Sequence, residues 1–355
     1  MTEIVATFVG FLLIFVAIGS LLSLKKFKLF APIFGAAIVL YIAPFSLLWM
    51  TCLSLLGWCV MQKTTPTYKF GSITLLSLVG VTLAFLILRE FDWLTSLGAA
   101  YFTLRVIHIT VDTRFDVYEP PALSDLVIYM LYPPVFLVGP IHRYPNFKRQ
   151  FERRRVSADG IAIGAERVLL GLFMTIFVGG YLLRKIFESA TQSSIDPDSF
   201  AFDWMMSAIG WVDLYCIFAG LSSVAVGCSL IVGIKIEENF NAPYCARDLV
   251  DFWGRWHMSL TSWCRDYVYK PLVSFTRLPV LGVLFAMLVL GLWHETSYFY
   301  VGWSIWQAGG IVLSRFLKPV YARLPSALDI AISPILILGW LSLANPVVTA
   351  LGDLF

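Results

Sequence analysis

The feature that most constrains this chain is the recurrence of apolar stretches long enough to cross a bilayer. A helical span needs about 20 apolar residues, and candidates run over 4–24, 31–61, 71–88, 93–111, 124–141, 160–187, 205–234, 279–293, 298–314 and 328–350. Hydrophobic residues are 59% of the 355 and charged ones 14%, a balance that excludes an ordinary soluble domain. The expected fold is therefore all-α: a polytopic integral membrane protein of about ten transmembrane helices plus interfacial or re-entrant helices, forming a single membrane domain over 1–355. The 31–61 run carries Pro44 near its middle and reads as one kinked helix or as two shorter ones. The 4–24 run lacks a basic start and a small-residue cleavage site, so it reads as a retained anchor.

Basic residues set the expected orientation. Lys25, Lys26 and Lys28 follow the first span, and Arg143, Lys148, Arg149, Arg153, Arg154 and Arg155 follow the fifth, which makes both loops cytoplasmic. Alternation then places Lys235, Arg247, Arg255, Arg265, Lys270 and Arg277 inside, with Arg315, Lys318 and Arg323. The segments Asp112–Asp125 and Thr191–Asp203 fall outside, as do both termini. The net charge of +3 carries no nucleic-acid footprint. Six cysteines without CxxC spacing read as inert buried thiols rather than disulfide or metal ligands. No internal repeat of the transporter kind is evident.

Two of the four histidines sit in apolar, tryptophan-rich settings. From Phe252 to Tyr267, Trp253, Trp256, Leu260, Trp263 and Tyr267 recur at spacings of three and four, while Arg255, Ser259, Ser262 and Asp266 line another face. This predicts one amphipathic helix at the cytoplasmic interface or dipping into the protein, with His257 at the edge of its apolar face. Periodicity by itself reads that segment as packed and its histidine as structural. His294 follows the 279–293 run, which spans only ~22 Å as a helix against a ~30 Å hydrocarbon core. Its imidazole is thus expected below the outer surface, buried and neutral, the form a general base requires. Alone, such a histidine fits a structural, relay, ligand or catalytic role equally. Arg105, His108 and Asp112, at i, i+3 and i+7, form a stripe that either lines or braces the protein interior. His142 and Arg143 read as anchors at a helix end. The run Arg153–Arg155 reads as an orientation signal, with anionic lipid or a phosphate-rich donor as runner-up.

The stretches YCIFAGLSSVAVGCSLIVGIKIEENFNAPY, DFWGRWHMSLTSWCRDYVYKPL and GLWHETSYFYVGW, preceded by PPVFLVGPIHRYPNFKRQ and LGAAYFTLRVIHITVDTRFDVYEP, resemble the membrane-bound O-acyltransferase family over about 93–312. The similarity is to the bacterial branch holding alginate O-acetyltransferases and teichoic acid D-alanyl transferases. The resemblance implies a central tunnel, with an acyl thioester entering from the cytoplasm and a hydroxyl acceptor arriving from the other side. It places His294 at the catalytic histidine and His257 at the second signature position. A neutral His294 would take the hydroxyl proton while His257 orients the donor or steadies the oxyanion. Trp253, Arg255, Trp256, Ser259, Trp263, Arg265, Asp266, Trp293, Glu295, Arg105 and His108 are candidates for the tunnel or donor site. Three features depart from the pattern: Glu295 replaces a common glycine, Gln307 stands where relatives often place histidine, and the chain is short. On a continuing helix Glu295 would point about 100° from His294, which argues against a direct dyad.

The expected activity is transfer of an acyl group, acetyl first, from acetyl-CoA or an acyl-carrier protein to a hydroxyl of a cell-envelope polysaccharide or glycoconjugate. No bound cofactor or metal is expected. The expected setting is the bacterial inner membrane, with the lipid bilayer, the donor, the acceptor and a periplasmic or carrier protein as partners. The alternative is a proton-coupled transporter or channel using His108, Asp112 and His294 as a relay. A shared acyl-transfer site further requires the segment 251–270 to tilt inward and bring both imidazoles to one cavity.

Overall fold

In the computed structural model, which describes residues 2–62, 99–321 and 326–352, every described element is helical. The backbone divides into two compact units, Met1–Leu169 with Ser223–Glu237, and Leu170–Ser222 with Glu238–Phe355.

The first unit begins with α1 (Thr2–Gly19), α2 (Leu24–Ile42) and α3 (Pro44–Gln62). The 31–61 run is thus two helices divided at Ala43, with Pro44 opening α3, where its missing N–H costs no intrahelical bond. Phe15 is wholly buried and packs against Phe27, Phe30, Phe34 and Tyr132, so the α1–α2 hairpin closes on aromatic contacts. Next comes α4 (Ala99–Arg114), the described part of the predicted 93–111 span; the predicted 71–88 span lies outside the described residues. Gly57 of α3 faces Val106 and Thr110 of α4, and any side chain there would keep the two helices apart.

The predicted 124–141 span is a correction. Helix α5 covers only Leu123–Met130, and Pro133, Pro134 and Pro140 carry the chain on as a 3₁₀ turn and a loop. Proline supplies no N–H and restricts the residue before it, so a continuous helix is unavailable. Eight residues make about 12 Å, far short of a bilayer core. Helix α6 (Tyr144–Glu152) ends near Arg154. Its guanidinium donates to the carbonyls of Gly19 (2.6 Å), Leu22 (2.7 Å) and Val232 (2.6 Å) and lies 4.0 Å over the Phe27 ring. Arg154 is a clamp on helix-end carbonyls.

The chain passes between the units within α7 (Ala158–Thr191) and α8 (Phe200–Ile231). Helix α7 contains a π-helical stretch, Phe173–Leu183, and only 17% of its most apolar window is buried within the protein, a surface suited to lipid. The second unit continues with short helices α9 (Leu249–Arg255), α10 (Met258–Cys264) and α11 (Lys270–Thr276), the last two joined by a π turn, Arg265–Tyr269. It closes with α12 (Pro279–His294), α13 (Tyr298–Tyr321) and α14 (Ser326–Gly352). Gly291 of α12 meets Ser304 Oγ and the Tyr300 carbonyl of α13, which allows those helices to pack closely. Trp306 stacks on Trp340 at 4.4 Å and donates to its carbonyl, tying α13 to α14.

Among the described residues, four helices are long and apolar enough to cross a membrane: Pro44–Gln62, Ala158–Thr191, Phe200–Ile231 and Ile330–Gly352. Glu3–Gly19 and Pro279–His294 are apolar but shorter. Helix α13 has the length yet carries Ser304, Gln307, Arg315 and Lys318. The expectation of about ten spans is therefore met only in part. The cysteine reading also divides: Cys216, Cys228 and Cys264 are buried, while Cys52, Cys59 and Cys245 reach the surface, all as free thiols.

Candidate active site

The single amphipathic helix expected over 252–267 is broken at His257. Helix α9 starts on Asp248, whose carboxylate accepts from the Asp251 N–H, and ends at Trp256 in extended backbone. His257 then takes φ 42° and ψ 52°, the left-handed region, before α10 begins at Met258. A non-glycine residue there is uncommon and is held in place by its surroundings. Those surroundings come from the loop leaving α8. The Met258 N–H donates to the Asn239 carbonyl (2.8 Å), Ser259 Oγ lies 2.6 Å from Asn239 Oδ1, and the Asn241 N–H donates to the Arg255 carbonyl (3.0 Å). Asn239 is wholly buried. The EENFN sequence thus supplies by tertiary contact the bonds that a continuous helix would have made itself. Periodicity could not reveal this, because it records side-chain faces and not backbone bonding.

The break turns the His257 imidazole inward. Its ring lies edge-on to Phe218 (4.7 Å) and 6.0 Å from Trp293. Burial pushes its pKa down to about 3, with His294 adding to the shift, so the ring is neutral at physiological pH. Trp293 is also 4.9 Å from the His294 ring, so one indole flanks both imidazoles. Tyr300 stacks on His294 at 5.7 Å and 17°, and Trp303 meets it edge-on at 6.4 Å. Both histidines open into one cavity of about 480 Å³, with Trp211, Trp253, Trp256 and Asn345 among its walls.

His294 itself differs from expectation. It is the last residue of α12 and is exposed, because Glu295 leaves the helix in extended backbone, its N–H still bonded to the Gly291 carbonyl. The chain turns there to start α13. Glu295 is likewise exposed beyond the helix end, so the 100° spacing of a continuing helix does not apply to it.

A second cavity of about 320 Å³ is bordered by Trp253, Arg265, Tyr269, Leu290 and Arg315. Trp253 and Leu290 line both cavities. Of the candidates read from sequence, Trp253, Trp256, His257 and His294 meet in the first cavity, Trp293 lies between the imidazoles, and Arg265 borders the second. Four others line neither cavity. Ser259 bonds Asn239, Trp263 packs on Tyr267 (5.2 Å), and Arg255 pairs with Asp251 (2.7 Å). Asp266 bridges Arg265 (3.1 Å) and Lys270 (2.8 Å). Arg105 and His108 belong to the first unit and line neither cavity. Arg105 donates to the Pro140 carbonyl (3.2 Å) between the Phe102 and Tyr129 rings, and His108 Nε2 accepts from the Tyr144 N–H (3.2 Å). Phe218, Asn239 and Tyr300 were not singled out from sequence, although all three fall inside the motif stretches, where position alone marked them.

The model of the MBOAT, membrane-bound O-acyltransferase family matches residues 113–338. The chain belongs to this family of membrane proteins. It is 29% identical to the probable alginate O-acetylase of Pseudomonas aeruginosa over 229 residues, 63% of this chain and 43% of that one. It is 29% identical to the teichoic acid D-alanyltransferase of Bacillus subtilis over 252 residues, 65% of this chain and 62% of that one. A peptidoglycan O-acetyltransferase of Helicobacter pylori is 29% identical over 200 residues, 54% of this chain and 36% of that one. The chain spans about half the length of the curated relatives it matches.

Proposed function

We propose that this protein is an O-acyltransferase of the bacterial inner membrane. It moves an acyl group, acetyl in the first instance, from a cytoplasmic thioester donor to a hydroxyl of an envelope polysaccharide or glycoconjugate. The observation that carries this reading is the opening of His257 and His294 into one cavity in a chain of the acyltransferase family. The printed activities of its relatives, O-acetylation and D-alanyl transfer, give the reaction class.

In this mechanism His294 takes the acceptor's hydroxyl proton as the oxygen attacks the thioester carbonyl. The helix end stabilises the imidazolium that forms. The neutral, buried His257 donates a hydrogen bond to the developing oxyanion, in a setting where such a bond is strong. Collapse of the tetrahedral intermediate breaks the carbon–sulfur bond, and the departing thiolate regains the proton from His294. The cavity bordered by Arg265 and Arg315 is the donor side, consistent with the cytoplasmic excess of basic residues.

His294→Ala is expected to leave a membrane-inserted protein whose acyl transfer falls at least ~100-fold, the usual scale of general-base catalysis. The measurement is ester-linked acyl content of envelope glycans in a strain lacking the native gene and complemented with each variant. Near-normal acylation by His294→Ala would remove His294 as the base.

A further inference from the structure

The two cavities differ in charge. Arg265 and Arg315 border the second, whereas the described residues lining the first include no Lys, Arg, Asp or Glu. The first is walled by the rings of Trp211, Trp253, Trp256, Phe299, Tyr300 and Trp303, with aliphatic side chains between them. Apart from the two histidines and the ring heteroatoms, its polar side chains are Ser207 and Asn345. Its volume of about 480 Å³ is that of a small-molecule site.

A carboxylate stands beside this uncharged chamber. Glu295 follows His294 directly, leaves α12 in extended backbone and is exposed. Its charge acts on the phenol of Tyr300, the ring that stacks on His294 at 5.7 Å. An acceptor hydroxyl has to come within hydrogen-bond reach of the His294 ring. The groups around that hydroxyl then meet aromatic faces and the Glu295 charge. An acidic group brought there would lose its water, gain no partner of opposite charge from the lining, and face a like charge. A neutral pyranose has the opposite fit. Its ring C–H groups present weakly positive hydrogens to the negative faces of aromatic rings, and its hydroxyls can donate to Asn345 Oδ1, Ser207 Oγ and the Glu295 carboxylate.

We infer that the acceptor is a neutral pyranose unit, and that Glu295 is a specificity residue excluding uronates and other anionic sugars from the His294 site. This rests on the acyl-transfer reading and narrows its acceptor. Glu295 moves no proton and acts through its charge.

The test uses the full-length protein in detergent at pH 7, titrated with methyl pyranosides of the gluco, galacto and manno series. Each is paired with its uronate, which differs in carrying a carboxylate in place of the C6 hydroxymethyl group. Binding is followed by tryptophan fluorescence with no acyl donor present. At least one neutral pyranoside should bind, and its uronate should bind about tenfold more weakly, as like-charge juxtaposition predicts. Added salt should shrink that ratio, because the field of an exposed carboxylate is screened. Glu295→Gln keeps the shape and removes the charge, and should shrink the ratio about threefold. The measurement needs no turnover, so the ratio should survive in His294→Ala. Normal acyl transfer by His294→Ala with the ratio intact would remove the base assignment and leave this inference standing. A uronate held as tightly as its neutral counterpart would overturn the inference. So would failure of all three neutral pyranosides to bind, or a ratio unchanged in Glu295→Gln.

Discussion

At the scale of single residues, the molecule places one imidazole in a strained, buried position and the other at an open helix end. That contrast has a consequence for pH. The folded pKa of His257 lies near 3, far below the unfolded value of about 6.5, so the unfolded state binds more protons between those values. Stability is therefore present above about pH 6.5 and is lost as pH falls towards 3. By pH 5 the loss is of order 2 kcal/mol. Thermal unfolding in detergent at pH 8 and pH 5 measures it, and His257→Leu should flatten the dependence. The same argument makes the acid limb of the pH–activity profile independent of His257, because this ring is already neutral across the assay range. Activity measured in His257→Gln should keep the wild-type acid limb at a reduced maximum.

At the scale of elements, the His257 break is maintained from outside the helices it divides. Asn239 holds it through its carbonyl on the Met258 N–H and its side chain on Ser259. Asn239→Ala keeps the first bond and loses the second, leaving Ser259 Oγ without that partner in a buried site. The expected cost is about 1–3 kcal/mol. Turnover should fall with little change in donor affinity, since His257 is displaced while the donor cavity is untouched. A variant with wild-type kcat would show that the break holds without Asn239. The Arg154 clamp is the corresponding device in the first unit. Arg154→Lys keeps the charge but cannot reach three carbonyls with the geometry of a planar fork. It should lower the unfolding temperature almost as much as Arg154→Ala, and full rescue by lysine would reduce Arg154 to a charge signal.

At the scale of the whole molecule, α7 offers a direct test of orientation, because its 34 residues exceed a bilayer's thickness. In a cysteine-free background, a cysteine near Arg154 should label only from the cytoplasmic side and one near Ser194 only from outside. Reversal of both would invert the proposed donor side. Much of this chain was legible without coordinates, because burying apolar surface is additive along a sequence: the runs 160–187 and 205–234 became the long helices 158–191 and 200–231. The Trp-rich segments and their histidines were also recognisable, since a fixed order of rare residues survives in sequence. What run length could not supply was where a run is interrupted by backbone chemistry. Pro133, Pro134 and Pro140 turn an apolar stretch into a short helix and a loop, so hydropathy overstated the span there. The inward turn of His257 depended on Asn239 and Asn241, which come from a different loop, and the exposure of His294 on where α12 stops. Composition determined the class of protein, and the Trp-rich motifs in their order marked the two imidazoles to watch. Only the tertiary structure decided that they share a cavity and that Arg105 and His108 do not line it. Those outcomes rest on hydrogen bonds and packing between segments distant in sequence, which no local pattern encodes.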